Sequence, residues 1–375
     1  MHRCYFSRYF FSILSFFVLF SSAIWSKPYQ VGMQVKFYQD DQRLHFDQAH
    51  QRPVTTHLFY PTQARTHKKI LSTKMFHFGE VIPDALYAQD HKRPLILVSH
   101  GSGGVASQML WLVEKLVEQG YIVAALNHHG NTGFEPKGYQ EGYDLWWERA
   151  QDLHVVLDKL SQERFWSQQI DFNRVGLLGF SLGGYTVLSG AGAITDNKRL
   201  HTFCQAHPKD GNCQSYIETS DKEKAEVATH KTYHQAMQTM SKDYTLPHLK
   251  AVVALSPAVV PAFTIQSLKR IQTPIQLIVG SKDRITLPEF NASLAHQYLS
   301  NSQLYTLPEV NHFAFLALCT KVGKMFFSLN SHAGNLCYSP QGVERQQVHN
   351  QAVSKTLSFF SQYLPVQYKS VNKTS

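Results

Sequence analysis

Cysteine is scarce in this chain, with five in 375 residues, and no spacing among them matches a zinc-ligand pattern, so a zinc-built domain is excluded. Charged residues are sparse too, at 17%. They neither gather into runs of one sign nor alternate with aromatics along a basic stripe, which leaves no electrostatic footprint for nucleic acid. No internal repeat and no low-complexity tract is found, which excludes repeat arrays and long disordered linkers. After residue 26 no apolar run is long enough to cross a bilayer, so the mature chain is expected to be soluble.

The first 26 residues differ from the remainder of the chain. Arg3 and Arg8 give a basic start, Tyr9 to Trp25 is almost wholly apolar, and Ser21-Ser-Ala23 offers small residues for cleavage. This pattern predicts a secretory signal peptide over residues 1–26 and export to the periplasm or medium. The alternative is an uncleaved anchor, for which the apolar run is short. Cys4 precedes that run, where a lipoprotein cysteine would not stand. Without it, four cysteines remain in two local pairs, Cys204 with Cys213 and Cys319 with Cys337. An even number in an exported chain suggests disulfides, with three connectivities open; each local loop would contribute roughly 3 kcal/mol, and buried reduced thiols are the alternative.

What is abundant is core material: 43% of residues are hydrophobic and 13% aromatic. The net charge of +9, part of it from Arg3 and Arg8, offers at most a weak attraction to anionic envelope surfaces. Residues 31–38 and 54–60 read as strands, the second stopped by Pro61, followed by a polar stretch. Pro94 to Ser99 is a continuous apolar run, as in a strand covered on both faces. Strands and helices then alternate: a helix over 109–118, a strand over 121–126, an amphipathic helix over 144–160, strands over 175–179, 251–255, 275–279 and 303–307, and a helix over 343–364. Such alternation predicts a single α/β domain over residues 27–375, with a mostly parallel sheet and helices on both faces. Residues 191–248, polar and rich in His and Lys, read as an insertion over the sheet edge.

Three loops carry complementary chemistry to the carboxyl ends of the strands. Gly179-Phe-Ser-Leu-Gly183 is a G-x-S-x-G turn between a strand and a helix, which makes Ser181 the candidate nucleophile. A serine needs a base, and His312, just past the last strand of the alternation, is the candidate. Asp283, one loop beyond the preceding strand, is the candidate partner that fixes the imidazole tautomer. The glycine-rich loop His100-Gly-Ser-Gly-Gly104 and the turn itself offer the backbone amides of Ser102 and Leu182 as donors to an oxyanion. His128-His129 reads as a pair of loop histidines, not metal ligands, because adjacent residues point apart and no carboxylate partner is evident. Tyr143, Trp146 and Trp147 either pack a helix or line an acyl pocket. Ser256-Pro257 ends its strand.

The stretches Leu58-Phe-Tyr-Pro61, Val98-Ser-His-Gly-Ser-Gly-Gly104, Gly179-Phe-Ser-Leu-Gly-Gly-Tyr185, Val253-Ala-Leu-Ser-Pro257 and Asn311-His-Phe-Ala-Phe-Leu316 resemble the α/β-hydrolase superfamily. Within it they are similar to bacterial predicted dienelactone hydrolases bordering the platelet-activating-factor acetylhydrolases, over about residues 31 to 365. The resemblance implies ester hydrolysis through an acyl-enzyme by Ser181, His312 and Asp283, without metal or organic cofactor. It implies a small-molecule or lipid ester as substrate, a lid-like role for 191–248, and no obligate protein partner. Two departures limit it: true dienelactone hydrolases use a cysteine where Ser181 stands, and the acetylhydrolases place their acid where this chain has Ser256-Pro257-Ala258. Two alternatives remain: a phospholipase or acetylhydrolase of short-acyl lipids, and a non-catalytic binding module on the same scaffold.

Overall fold

Apolar runs without polar alternation become the middle of a sheet. The computed structural model describes residues 29–89, 91–211, 213, 229–329, 336–340 and 342–367; the expected leader over 1–26, with Cys4, lies outside them. The described strands are β1 (Gln30–Leu44), β2 (Gln51–Thr62), β3 (Lys69–Ser72), β4 (Phe76–Pro83), β5 (Arg93–Ser99), β6 (Ile122–Leu126), β7 (Ile170–Phe180), β8 (Leu249–Leu255), β9 (Ile275–Gly280), β10 (Ser302–Leu307) and β11 (Leu318–Cys319). They form one eleven-stranded sheet in the order β10-β9-β8-β7-β5-β6-β2-β1-β4-β11, with β3 paired to β4. From β10 to β6 all pairs are parallel; β2 runs antiparallel to both β6 and β1. This is the mostly parallel α/β architecture that the alternation predicts, and it has the α/β-hydrolase fold.

The inner strands of the parallel block are buried on both faces, so they are apolar at most successive positions, whereas the edge strand β10 is only partly covered. Leu95 and Leu97 of β5 face one core, Ile96 and Val98 the other. On the first side pack α2 (Arg149–Gln162), through Leu153, Val156 and Leu160, and α3 (Leu182–Gly190), through Tyr185, Val187 and Leu188. On the second pack α1 (Leu110–Glu118), through Leu112, Val113 and Leu116, and the long C-terminal helix α7 (Arg345–Tyr363), through Val348, Ala352 and Phe360. Between them in sequence lie α4 (Asn197–Ala206), α5 (Lys231–Thr239) and α6 (Lys321–Leu329).

Four local readings change. Pro61 does not stop β2, which pairs through Thr62; β6 accompanies β2 only from Thr56 to Phe59, so the missing amide of Pro61 falls where one side of the strand has no β6 partner. The stretch read as polar contains β3 and β4, which pair antiparallel as the hairpin Lys69–Pro83. The helix read as 144–160 is broken into a helical turn at Gln140–Asp144, a 3-10 turn at Trp146–Glu148 and then α2. The break lets Trp146 reach Tyr185 at 4.8 Å and Trp147 Nε1 donate to the carbonyl of Ala236 at 2.9 Å. The described parts of 191–248 are more than a surface insertion: Leu200, Cys204, Cys213 and Ala236 share the first core. Disulfides join Cys204 to Cys213 and Cys319 to Cys337, the local pairs among the three open connectivities. Among the described residues, no helix is long and apolar enough to cross a membrane.

Candidate active site

Strand register brings the three loops to one rim. Ser99 lies opposite Gly179, Phe180 opposite Leu255, and Leu255 opposite Ile278, so the chain leaves β5, β7, β8 and β9 at one level. At the end of β7, Ser181 adopts φ 55° and ψ −119°, a conformation that costs a non-glycine residue of order 1–3 kcal/mol and is held here by the hydrogen bond its N–H donates to the Leu255 carbonyl at 2.9 Å. The flanking glycines are required by contact. A Cβ on Gly179 would lie 2.1 Å from the carbonyl oxygen of Gly183, and one on Gly183 would lie 2.0 Å from that of Ser99. α3 starts at Leu182, directing its first amides to the site.

His312 opens a 3-10 turn after β10. Its Nε2 is 3.0 Å from Ser181 Oγ and its Nδ1 is 2.8 Å from Asp283 Oδ2. With Nδ1–H donating to the carboxylate, Nε2 is left as acceptor for the serine hydroxyl, the tautomer that a general base requires. Asp283 is itself fixed: its Oδ1 accepts from the amides of Ile285 at 3.0 Å and Thr286 at 2.8 Å, and its Oδ2 from Thr286 Oγ1 at 2.9 Å. Burial pushes its pKa up, but the electrostatic attraction of the adjacent His312 and the hydrogen bonds from His312 and Thr286 outweigh that and hold it below the ordinary carboxylate value. Thr286 was not singled out in the sequence; its signal is the Asp-x-x-Thr spacing of a side-chain-capped turn.

The glycine-rich loop is clamped from outside. Gly103, at φ +63°, donates its amide to Asn131 Oδ1 at 2.5 Å, Gly104 donates to the Gly101 carbonyl at 3.1 Å, and Asn131 Nδ2 donates to the carbonyl of Gly142 at 3.0 Å. These bonds use the amides on the far side of Ser102, whose own N–H makes no backbone bond to the described residues. Leu182 N–H, in the first turn of α3, has no partner within the helix. Asn131 is a second residue that sequence reading missed.

Beneath this loop lies a buried charged cluster. Asp152 accepts from Arg43 Nη2 at 2.5 Å, Arg52 Nε at 3.0 Å and His128 Nδ1 at 2.8 Å. His128 Nε2 is in turn 2.8 Å from Ser99 Oγ, so Ser99, His128 and Asp152 repeat the bonding of the candidate triad, with all three fully buried. His129 is held by Glu135 at 2.9 Å. Both loop histidines therefore have carboxylate partners, Glu135 six residues on in the same loop and Asp152 on α2, and among the described residues no group of metal-ligating side chains is found. His128 N–H donates to His100 Nε2 at 3.2 Å, which leaves His100 Nδ1 to donate to Gly101 O at 2.6 Å. The contact of the buried Arg149 is then to the His100 carbonyl, at 2.6 Å.

A cavity of about 560 Å³ opens beside His312, lined by Lys282, Arg284, Glu309, Phe313, Tyr338 and Pro340 among others. Trp146 and Trp147 are packed in the core, whereas Tyr143 is 44% exposed. The described end of the 191–248 segment touches the acid loop: a Cβ on Gly211 would lie 2.4 Å from the carbonyl oxygen of Ile285.

Residues 107–315 match the sequence model of the prolyl oligopeptidase family. The chain is 27% identical over 235 residues to dipeptidyl-peptidase 5 of Porphyromonas gingivalis, covering 56% of this chain and 33% of the relative, and 27% identical over 250 residues to dipeptidyl-peptidase 5 of Porphyromonas endodontalis, covering 62% and 32%. It thus spans about a third of the length of these curated relatives. Among solved structures, a ferulic acid esterase from Streptomyces cinnamoneus superposes with a TM-score of 0.55 over 90% of both chains at 16% identity, a likeness of fold. The family match covers more than half of the chain and encloses the turn at Ser181, the loop at Asp283 and the turn at His312; the chain belongs to the prolyl oligopeptidase family of serine hydrolases.

Proposed function

We propose that this protein is an exported hydrolase of carboxylic esters, one domain over residues 27–375 after loss of a signal peptide over 1–26, working through an acyl-enzyme on Ser181. The observation that carries this reading is the continuous chain of bonds from Ser181 Oγ to His312 Nε2 at 3.0 Å and from His312 Nδ1 to Asp283 at 2.8 Å, mounted on a strained strand-to-helix turn. Ser181 Oγ attacks the ester carbonyl carbon as its proton passes to His312 Nε2. The oxyanion that forms accepts from the amides of Ser102 and Leu182. Collapse expels the alcohol, which takes the proton from His312. Water then attacks the acyl-enzyme with His312 again as base, and the acid leaves. Asp283 stays ionised throughout and stabilises the imidazolium.

His312 is bonded to Asp283, not to a group after β8, where Ser256, Pro257 and Ala258 stand; this supports the acid position expected from the sequence over that of the acetylhydrolases. The relatives' name favours a second reading, peptide hydrolysis. The cavity beside His312 argues for esters. A peptidase that measures from a free amino terminus needs carboxylates for the ammonium, whereas this cavity presents Lys282 and Arg284 against Glu309, which already lies 3.6 Å from Lys282. Close contact of residue 211 with the acid loop supports a lid role for 191–248.

Parallel assays on p-nitrophenyl esters of rising acyl length and on dipeptidyl coumarylamides separate these readings. Short esters are expected to turn over and the amides not; the reverse preference would replace the ester reading with the peptide one. A serine-reactive fluorophosphonate is expected to label the wild type and leave Ser181→Ala unlabelled. An unlabelled wild type would leave the binding-module alternative standing.

A further inference from the structure

α6 has two apolar faces, and only one is packed. Gly323 and Phe327 turn inward: a Cβ on Gly323 would lie 2.2 Å from the carbonyl oxygen of Met75, and the Phe327 ring sits 5.9 Å from that of Phe76. The other stripe consists of Val322, Met325, Phe326 and Leu329, spaced i, i+3, i+4 and i+7, and these side chains are 51, 61, 40 and 81% exposed. A contiguous run of large apolar side chains along one helix face is a patch, not the scattered exposure of an ordinary surface.

The charged residues that flank the stripe along the chain have one sign. No aspartate or glutamate occurs between Glu309 and Glu344. Lys321 and Lys324 are exposed on the helix itself, and Lys74 is held beside its start, where Thr320 Oγ1 donates to the Lys74 carbonyl at 2.6 Å and Thr320 N–H to that of Met75 at 3.0 Å. The helix is also tied to the site. The Cys319–Cys337 disulfide joins its base to the segment whose Tyr338 and Pro340 wall the cavity beside His312, and the Tyr338 carbonyl accepts a bond from Asn311 Nδ2 at 3.2 Å.

We propose that this face of α6 docks the protein on an anionic lipid surface, with Val322, Met325, Phe326 and Leu329 entering the headgroup layer and the three lysines pairing with lipid phosphates. Charge complementarity selects this occupant. A second copy meeting the same face across a two-fold axis would set its lysines against these. A lipid phosphate layer supplies both the apolar depth and the negative charge. The proposal does not depend on which bond the site cleaves, because docking is read without turnover.

Co-sedimentation of the full chain with vesicles of phosphatidylcholine, with and without phosphatidylglycerol, tests it. The wild type is expected to partition onto the phosphatidylglycerol vesicles and hardly onto pure phosphatidylcholine. Met325→Ser with Leu329→Ser is expected to lower partitioning roughly tenfold or more at any salt, and Lys321→Gln with Lys324→Gln to lower it at low salt only. Both pairs are exposed, and thermal unfolding followed by circular dichroism checks that they fold; a shifted melt is answered with Leu329→Ser alone. No partitioning by the wild type, serine variants that partition like the wild type, or serine variants that change only the self-association seen by ultracentrifugation would each overturn the proposal.

Discussion

Ser99, His128 and Asp152 carry the same bonds as Ser181, His312 and Asp283, and the difference between the two sets is access. The first set is sealed under the glycine-rich loop, whereas a cavity of about 560 Å³ reaches His312. Activity should follow the open set. Ser181→Ala is expected to lower kcat on the order of 10⁶-fold and Asp283→Asn on the order of 10⁴-fold in an ester assay, while Ser99→Ala leaves kcat near that of the wild type. A Ser99→Ala enzyme as dead as Ser181→Ala would mean that access has been misread. The sealed set should instead be felt in stability. Asp152→Asn leaves the guanidinium groups of Arg43 and Arg52 buried without their shared carboxylate, and is expected to cost about 3–5 kcal/mol in urea denaturation. At this scale the three side chains that the structure brings together were legible in the sequence and their holders were not. Ser181 is marked by flanking glycines and His312 and Asp283 by their places after strands. Thr286 and Asn131 act through bonds to groups that are close only once the loops are folded.

An element shows itself in sequence when its own periodicity decides it, and hides when contact with another element does. The inner strands β5, β6, β8 and β9 were legible because burial on both faces demands nearly unbroken apolar runs, and α1 and α7 because each buries one stripe. The break before α2 was not legible, since it is set by the fit of Trp146 to Tyr185 and Trp147 to Ala236, residues far apart in sequence. The β3–β4 hairpin was missed because about half of its residues face solvent and neither strand alternates cleanly between buried and exposed positions. The turn at Ser181 is the strongest case of contact deciding an element. A methyl group on Gly183 would press on the Ser99 carbonyl at 2.0 Å, so Gly183→Ala must push the start of α3 away from the end of β5 and shift the Leu182 amide with it. The expected result is a chain that folds with reduced stability and loses roughly 10²–10³-fold in kcat, the loss typical of one displaced oxyanion donor. An active Gly183→Ala enzyme would mean that the turn has slack this packing denies. Removing the Cys319–Cys337 bond by paired serine substitution is expected to cost about 3 kcal/mol, because the loop it closes, over a sequence separation of 18, is then free in the unfolded chain.

For the molecule as a whole, burying histidine in a neutral state makes acid the vulnerable direction. Burial lowers the pKa of His57 and His349 from 6.5 to about 4 each; burial and the nearby Arg149 charge lower that of His128 to about 3 and that of His100 well below its ordinary value. In the unfolded chain these imidazoles take up protons as the pH falls through 6.5, while in the folded chain they do not until it nears 4 or below. Unfolding therefore binds protons in that window, and each such histidine removes up to about 1.4 kcal/mol of stability per pH unit as the solution is acidified. Asp152, held below the carboxylate range by Arg52 and Arg43, and Asp283, held below it by His312 and the hydrogen bonds to its carboxylate, extend the loss to lower pH, because their stabilisation disappears as they protonate. Glu148 acts in the opposite sense: burial raises its pKa despite Arg52 and Arg43, so its contribution grows on acidification, but it is a single group against several. Urea denaturation with the disulfides intact should thus show stability nearly level above pH 7 and falling by several kcal/mol between pH 6.5 and 4.5. His57 gives the sharpest check, since its hydrogen-bond partner, Ser107 Oγ at 3.0 Å, can be met by an amide. His57→Gln is expected to flatten the slope in this window by about 1.4 kcal/mol per pH unit, and an unchanged slope would show that the imidazole of residue 57 is already charged in the folded protein.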